Sequence, residues 1–344
     1  MGKYDLLSLS LDEMKQFIQS IGEPEFRGKQ LYQWMHQKQI FDYNQMSNIP
    51  KKMIEKLNEK ATIFLPEIVE VQTSKIDGTQ KFLFQLQDHH MVESVLMKYK
   101  HGNSVCISTQ VGCKMGCKFC ASTLDGWVRN LTAGEMLAQV YLIQKISEER
   151  VSNVVLMGTG EPLDNYEEFV RFVRMISDDS GLNISQRNLT VSTCGIVPMI
   201  RRLAKEHFQI TLALSLHASN QEKRLELMPI ANQYPLKEVI DACKYYFEET
   251  GRRITFEYSL VGGVNDSSQD AEQLVRLIKE LNCHLNLIPV NPIKERSFVQ
   301  SQQNVILSFK NKLEKSGINV TIRREMGRDI DGACGQLRQK HLER

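Results

Sequence analysis

Ser152-Asn153-Val154-Val155-Leu156-Met157-Gly158-Thr159-Gly160-Glu161-Pro162 is a short, β-branched apolar run that ends on a glycine-rich turn. A run of this length without polar alternation suits a strand covered on both faces, and the turn suits a loop leading into a helix. The same unit recurs to either side. A helix over 132–148 opens on the capping box Thr132/Glu135, and helices follow over 166–177, 197–206, 236–249, 268–281 and 302–315. Between them the pattern predicts strands over 152–157, 188–193, 210–216, 253–260, 284–290 and 318–323. Alternating strands and helices make the fold class α/β. About six βα units predict an open, partial (β/α)6 TIM-like barrel, with its chemistry at the C-terminal ends of the strands.

Upstream of this series the period falls to two. Asp77-Gly78 reads as a hairpin turn between strands at 68–75 and 81–86, followed by strands at 92–99 and 104–108. Before them, Ser10 and Glu13 form a capping box ahead of Leu11, Met14, Phe17, Ile18 and Ile21, with Gly22 as a stop. Helices over 26–38 and 51–60 complete a small module, the second starting just after Pro50. The expected organisation is a helical accessory domain at 1–62, a β-hairpin bridge at 63–112, the barrel at 113–323 and a C-terminal segment at 324–344.

With 344 residues, 42% hydrophobic and 24% charged, the chain can bury a full core, which excludes global disorder. No run of 18 apolar residues occurs, and Met1-Gly2-Lys3-Tyr4-Asp5 lacks the layout of a secretory signal, so no membrane partner and a cytoplasmic location are expected. No long apolar heptad is present, which favours a monomer. A net charge of +2 leaves nucleic-acid binding to local patches such as Lys51-Lys52, Arg201-Arg202, Arg252-Arg253, Arg323-Arg324 with Arg328, and the tail from Arg338. Each such patch is more often a solvated face.

Cys113-Lys114-Met115-Gly116-Cys117-Lys118-Phe119-Cys120 sets three of the eight cysteines within eight residues, after a strand and ahead of a helix. In a reducing compartment this clustering points to metal chemistry rather than a disulfide framework. A structural zinc site needs four ligands, and Cys106 is the nearest candidate for a fourth. A 4Fe-4S cluster held by three cysteines keeps one iron open to bind a small molecule. An incomplete zinc knuckle is the competing reading.

C-x3-C-x2-C is the signature of radical S-adenosylmethionine (SAM) enzymes, which this chain resembles. Over nearly its whole length it is similar to the RlmN/Cfr family, and within it to the RlmN branch. The matching residues are Val92-Glu93-Ser94-Val95, Cys106 to Cys113, Arg129-Asn130-Leu131-Thr132, Ser192-Thr193, Ser215-Leu216-His217-Ala218, Met228-Pro229-Ile230, Gly263-Val264-Asn265-Asp266, Asn291-Pro292 and Asp331 to Leu337. The resemblance implies a methyltransferase acting on C2 of an adenosine in 23S rRNA, as a protein-poor precursor, and in tRNA. It implies one 4Fe-4S cluster on Cys113, Cys117 and Cys120. It implies SAM contacts from Gly160, Glu161, Ser192, Ser215, Leu216, His217 and Asn291, and a flavodoxin or ferredoxin-type electron donor.

Adenine C2 lies between two ring nitrogens and is too electron-poor to attack a methyl sulfonium, so a radical route is required. In the route the resemblance implies, two SAM molecules serve each turnover. The first methylates Cys334, and the second yields the 5'-deoxyadenosyl radical that activates this methyl for addition to C2. Glu93 then removes the C2 proton and Cys106 attacks the sulfur of Cys334, leaving a transient disulfide. Taken singly, Cys106 also reads as a buried strand cysteine, Cys334 as a surface thiol, Glu93 as a solvated carboxylate and His217 as a core histidine. Cys194, Cys243 and Cys283 read as packing. A base must leave its stack to be modified, so a structured RNA loop is the expected substrate; the resemblance implies that residues 1–62 grip it at a distance. The alternatives are a Cfr-like C8 methyltransferase and a non-enzymatic iron-sulfur or zinc RNA-binding protein.

Overall fold

The computed structural model describes residues 3–100, 102–291, 297–330 and 336–342; Cys334 lies outside them. The amino-terminal module starts with β1 (Tyr4–Asp5) and α1 (Leu11–Ser20). The Ser10/Glu13 capping box is present with both of its hydrogen bonds, and Gly22, at φ +76°, follows the helix end. α2 covers Phe26–Tyr32 and then widens into a π-turn over Gln33–Gln37, where the spacing had predicted α-helix to residue 38. The widened turn buries Met35 and His36, and His36 Nδ1 meets the Tyr141 hydroxyl at 2.9 Å. α3 (Lys51–Lys60) follows Pro50 and leads into β2 (Ala61–Thr62), which pairs in parallel with β1. This module shares one continuous apolar core with the rest of the chain.

β3 (Glu67–Thr73), β4 (Gln80–Gln85), β5 (Met91–Met97) and β6 (Asn103–Cys106) pair antiparallel in sequence order. β6 then pairs in parallel on its other edge, so the strand placed in the bridge by sequence is the first strand of the parallel run. A short ribbon of β7 (Gln110–Gly112) and β8 (Trp127–Asn130) brackets the cysteine segment. The segment is therefore followed by a 3-10 turn and a strand, not directly by a helix as expected. Gly112 is required here: at φ +74°, a Cβ would lie 2.0 Å from the Gly126 carbonyl oxygen.

From there the predicted alternation of strands and helices is present, with α7 and α11 added in stretches to which the sequence assigned no element. α4 (Ala133–Ser147), β9 (Val151–Leu156), α5 (Tyr166–Ile176), β10 (Leu189–Thr193), α6 (Val197–Ala204) and β11 (Thr211–Ser215) come first. α7 (Gln221–Leu227), α8 (Leu236–Thr250), β12 (Ile254–Leu260), α9 (Ser268–Ile278), β13 (Cys283–Pro289), α10 (Gln303–Lys315), β14 (Val320–Ile322) and α11 (Gln336–Leu342) follow. The sheet order is β14-β13-β12-β11-β10-β9-β6-β5-β4-β3, an open ten-stranded sheet. Its seven parallel strands, β6 and β9 to β14, with crossovers through α4, α5, α6, α8, α9 and α10, make the partial barrel. No helix among the described residues is long and apolar enough to cross a membrane.

Candidate active site

The C-terminal ends of the parallel strands meet the cysteine loop around one cavity of about 280 Å³. Cys113, Cys117 and Cys120 line it, as do Gly158, Gly160 and Glu161 after β9, Ser192 on β10, Ser215 on β11, His217 just beyond it, and Asn291 after β13. Of the residues expected to touch SAM, Leu216 does not line the cavity. Its side chain is buried in the main core and its amide donates to the Glu257 carbonyl at 3.0 Å.

Each wall has a physical reason for its place. Gly160 sits at φ +113°, and a Cβ there would lie 2.7 Å from the Gln110 Cβ, so the backbone approaches closely only because it is glycine. Glu161 is buried and its carboxylate accepts the amides of Cys194 at 2.7 Å and Leu163 at 3.1 Å. Burial raises its pKa, against these hydrogen bonds. It thus anchors the strand-end loops with its side chain. His217 is buried at φ +52°, stacks edge-on against Phe119, and accepts the Ser259 amide at Nδ1, 2.9 Å away. Burial pulls its pKa down to about 3, so the ring is neutral with its proton on Nε2. The Ser192 and Ser215 hydroxyls are 3.3 Å apart.

The three thiols line one cavity, a donor set that suits an iron-sulfur cluster with one open iron. A tetrahedral zinc with bonds near 2.3 Å draws its sulfurs to within about 3.8 Å of one another. Among the described residues no group of three His, Cys, Asp or Glu side chains is arranged to hold a single metal ion. Burial pushes the Cys113 thiol up to about 12 and raises Cys117 as well. A cationic metal core would remove that cost of ionisation.

A second cavity of about 330 Å³ lies alongside, lined by Val95, Met97, Cys106, Arg323, Arg324 and Met326. The two share Ile288, Pro289, Asn291 and Arg323 as a common wall. Cys106 is buried opposite Val95 in the β5/β6 register. Glu93 lies two residues before Val95, hence on the same face of β5, and is buried. Its Oε2 lies 3.0 Å from Lys81 Nζ, in a pair with almost no solvent exposure. Its Oε1 accepts the Arg338 amide of α11 at 2.6 Å. Glu93 itself lines neither cavity.

Sequence reasoning missed Lys81, Glu257 and Arg224. Glu257 is buried on the cavity wall, where burial raises its pKa and the Asn286 amide group donates to it at 2.9 Å. Its place mid-strand among apolar neighbours was the available signal. Cys194, read as packing, is buried and also lines the cavity, whereas Cys243 is a core residue of α8 and Cys283, at the start of β13, is half-buried. Of the basic clusters, Arg323 and Arg324 face the second cavity. Arg202 is engaged by Glu167 and lies over the Tyr166 ring.

Residues 4–63 match the ribosomal RNA large subunit methyltransferase N-terminal domain, and residues 107–278 match the radical SAM superfamily. A probable dual-specificity RNA methyltransferase RlmN of Lachnospira eligens is 60% identical over 339 residues, covering 98% of this chain and 97% of the relative. The protein of the same description from Clostridium novyi is 56% identical, with 98% of each chain covered. The crystal structure of a radical SAM methyltransferase from Sphaerobacter thermophilus superposes with a TM-score of 0.93 at 42% identity, over 97% of this chain and 98% of that one. The six crossover units, the three-thiol cavity and these relatives agree: the chain belongs to the RlmN family of radical SAM RNA methyltransferases, enzymes that use a 4Fe-4S cluster and S-adenosylmethionine.

Proposed function

We propose that this chain methylates C2 of an adenosine in the peptidyl-transferase loop of 23S rRNA and of the adenosine just after the anticodon of some tRNAs. It would act in the cytoplasm, as a monomer, with electrons from a flavodoxin or ferredoxin. Cys113, Cys117 and Cys120 hold the cluster, and Gly160, Glu161, Ser192, Ser215, His217 and Asn291 hold SAM beside it. A cluster held there would supply one-electron reducing chemistry to the cosubstrate.

The chain's own groups do the rest. Gly160 leaves its backbone open to the cosubstrate. The neutral His217, with Nδ1 occupied by the Ser259 amide, has Nε2–H left as a donor. Glu93 takes the C2 proton, with the Lys81 ammonium beside its carboxylate to balance charge in a dry setting. The Cys106 thiolate attacks the sulfur of Cys334, so that the sulfur-sulfur bond forms as the carbon-sulfur bond breaks, its electron pair going to the departing carbon, which takes up a proton to complete the methyl group. Cys334 lies outside the described residues, but α11 starts two residues after it and is tied to Glu93 through the Arg338 amide. Residues 1–62 are assigned to gripping RNA away from the reacting base.

One observation supports this reading: the cavity of the three thiols and the cavity of Cys106 share Ile288, Pro289, Asn291 and Arg323 in their walls, so a cosubstrate in one and a base in the other would be neighbours. Nucleoside mass spectrometry on RNA from reactions with the purified enzyme should find 2-methyladenosine. Finding 8-methyladenosine would move the chain to the Cfr branch, which the RlmN relatives do not favour. Cys106→Ala should trap a covalent protein-RNA adduct, and normal turnover by that variant would refute its resolving role. Deleting residues 1–62 should weaken RNA binding.

A further inference from the structure

Arg224, on α7, has a fully buried side chain, and among the described residues no carboxylate forms an ion pair with it. Its Nη2 donates to the Cys194 carbonyl at 2.7 Å and to the Ser215 carbonyl at 3.4 Å, while Nε and Nη1 have no hydrogen-bond partner. A guanidinium cannot shed its proton in a protein, so a buried one without a counter-charge is among the costliest groups a fold can carry. Something negative must belong nearby.

The surroundings say what it is. Cys194 and Ser215, whose carbonyls Arg224 grips, both line the three-thiol cavity. α7 backs directly onto the cysteine loop: the Lys118 amide donates to the Leu227 carbonyl at 2.9 Å, and Leu227 and Met228 pack with Cys113 and Met115. A doubly cationic 4Fe-4S core on three thiolates keeps one net negative charge, and one-electron reduction makes it two.

We propose that Arg224 is the buried counter-charge of the iron-sulfur cluster, and that it raises the cluster's reduction potential by favouring the more anionic, reduced state. This rests on Cys113, Cys117 and Cys120 being the cluster ligands. The electron itself comes from an external low-potential reductant, and the arginine changes only the energy at which the cluster accepts it.

The test compares the anaerobically reconstituted parent with Arg224→Met, Arg224→Gln and Arg224→Lys. Iron per chain is measured, and dithionite titrations with mediators follow the cluster by its paramagnetic signal and its absorbance. In the Met and Gln variants the midpoint should move to more negative potential, and Lys should stay near the parent. A Met or Gln variant with full iron and the parent's midpoint overturns the proposal. If neither variant holds iron, melting of the metal-free proteins decides: Met melting no lower than the parent supports a counter-charge needed for loading. Met melting clearly lower makes Arg224 an ordinary pillar of the core and overturns it. A parent that keeps its iron after Cys117→Ala would instead sink the ligand assignment, a failure visible without any Arg224 variant.

Discussion

The parallel run from β9 to β14 and the antiparallel extension from β3 to β6 belong to one sheet but are built for different tasks. In the parallel half, functional groups sit at strand ends, where loops can be shaped without disturbing the ladder. In the antiparallel half Lys81 and Glu93 sit inside the ladder, and Cys106, though the last residue of β6, is paired on both edges; all three are buried. Strand ends suit a cofactor that must enter and leave. A ladder suits the fixed positions that the roles proposed for Glu93 and Cys106 require. The seam between the two regimes is β6, paired antiparallel on one edge and parallel on the other.

If the halves are separable in this way, damage to one should spare the other. Cys117→Ala should abolish iron binding and methyl transfer together, yet leave the fold of the antiparallel half intact, as amide exchange would report. Lys81→Met should act in reverse. Removing a buried cation 3.0 Å from Glu93 should cost about 3 to 5 kcal/mol in urea unfolding, while the reconstituted variant still binds iron. A variant as stable as the parent would break the comparison. Gly160→Ala is smaller, because it forces a Cβ into the space of Gln110 at a positive φ. It should cost about 1 to 3 kcal/mol of stability and weaken SAM binding measured by equilibrium dialysis.

At neutral pH the effect expected away from both halves is the least visible, and it shows only as pH falls. Burial pulls the pKa of His36 down to about 3, below its ordinary value of 6.5. The folded state thus holds the ring neutral while the unfolded chain protonates. Its contribution to stability is complete above the unfolded value and is lost as pH falls through the window from 6.5 towards 3. The slope is about 1.4 kcal/mol per pH unit for this residue. Unfolding free energies of the parent and His36→Phe should converge as pH drops through that window; parallel curves would contradict the assignment.

How much of this was legible in the sequence depended on range. Capping boxes and the cysteine spacing are local, and Ser10/Glu13, Thr132/Glu135 and the strand-helix alternation stand where the residues put them. The partner of Glu93 was not legible, because it depends on hairpin register: Lys81 pairs with Val95 and Leu83 with Glu93, which makes the ion pair diagonal. That the Leu216 side chain points into the core was legible in principle. Residues alternate across a strand, so with Ser215 and His217 on the cavity side the residue between them must point away. Arg224 lay in a stretch to which no periodicity assigned an element, and its burial comes from packing that no local pattern encodes.

The pinch between Gly112 and Gly126 has one more consequence. The Cys113 amide donates to the Gly126 carbonyl at 2.8 Å, so the stretch that carries all three thiols is tied at its neck by the polypeptide itself. Ordering that ring is therefore a task of folding and not of metal capture. The neck of the loop is thus closed by main-chain bonding alone, whatever its three thiols come to hold.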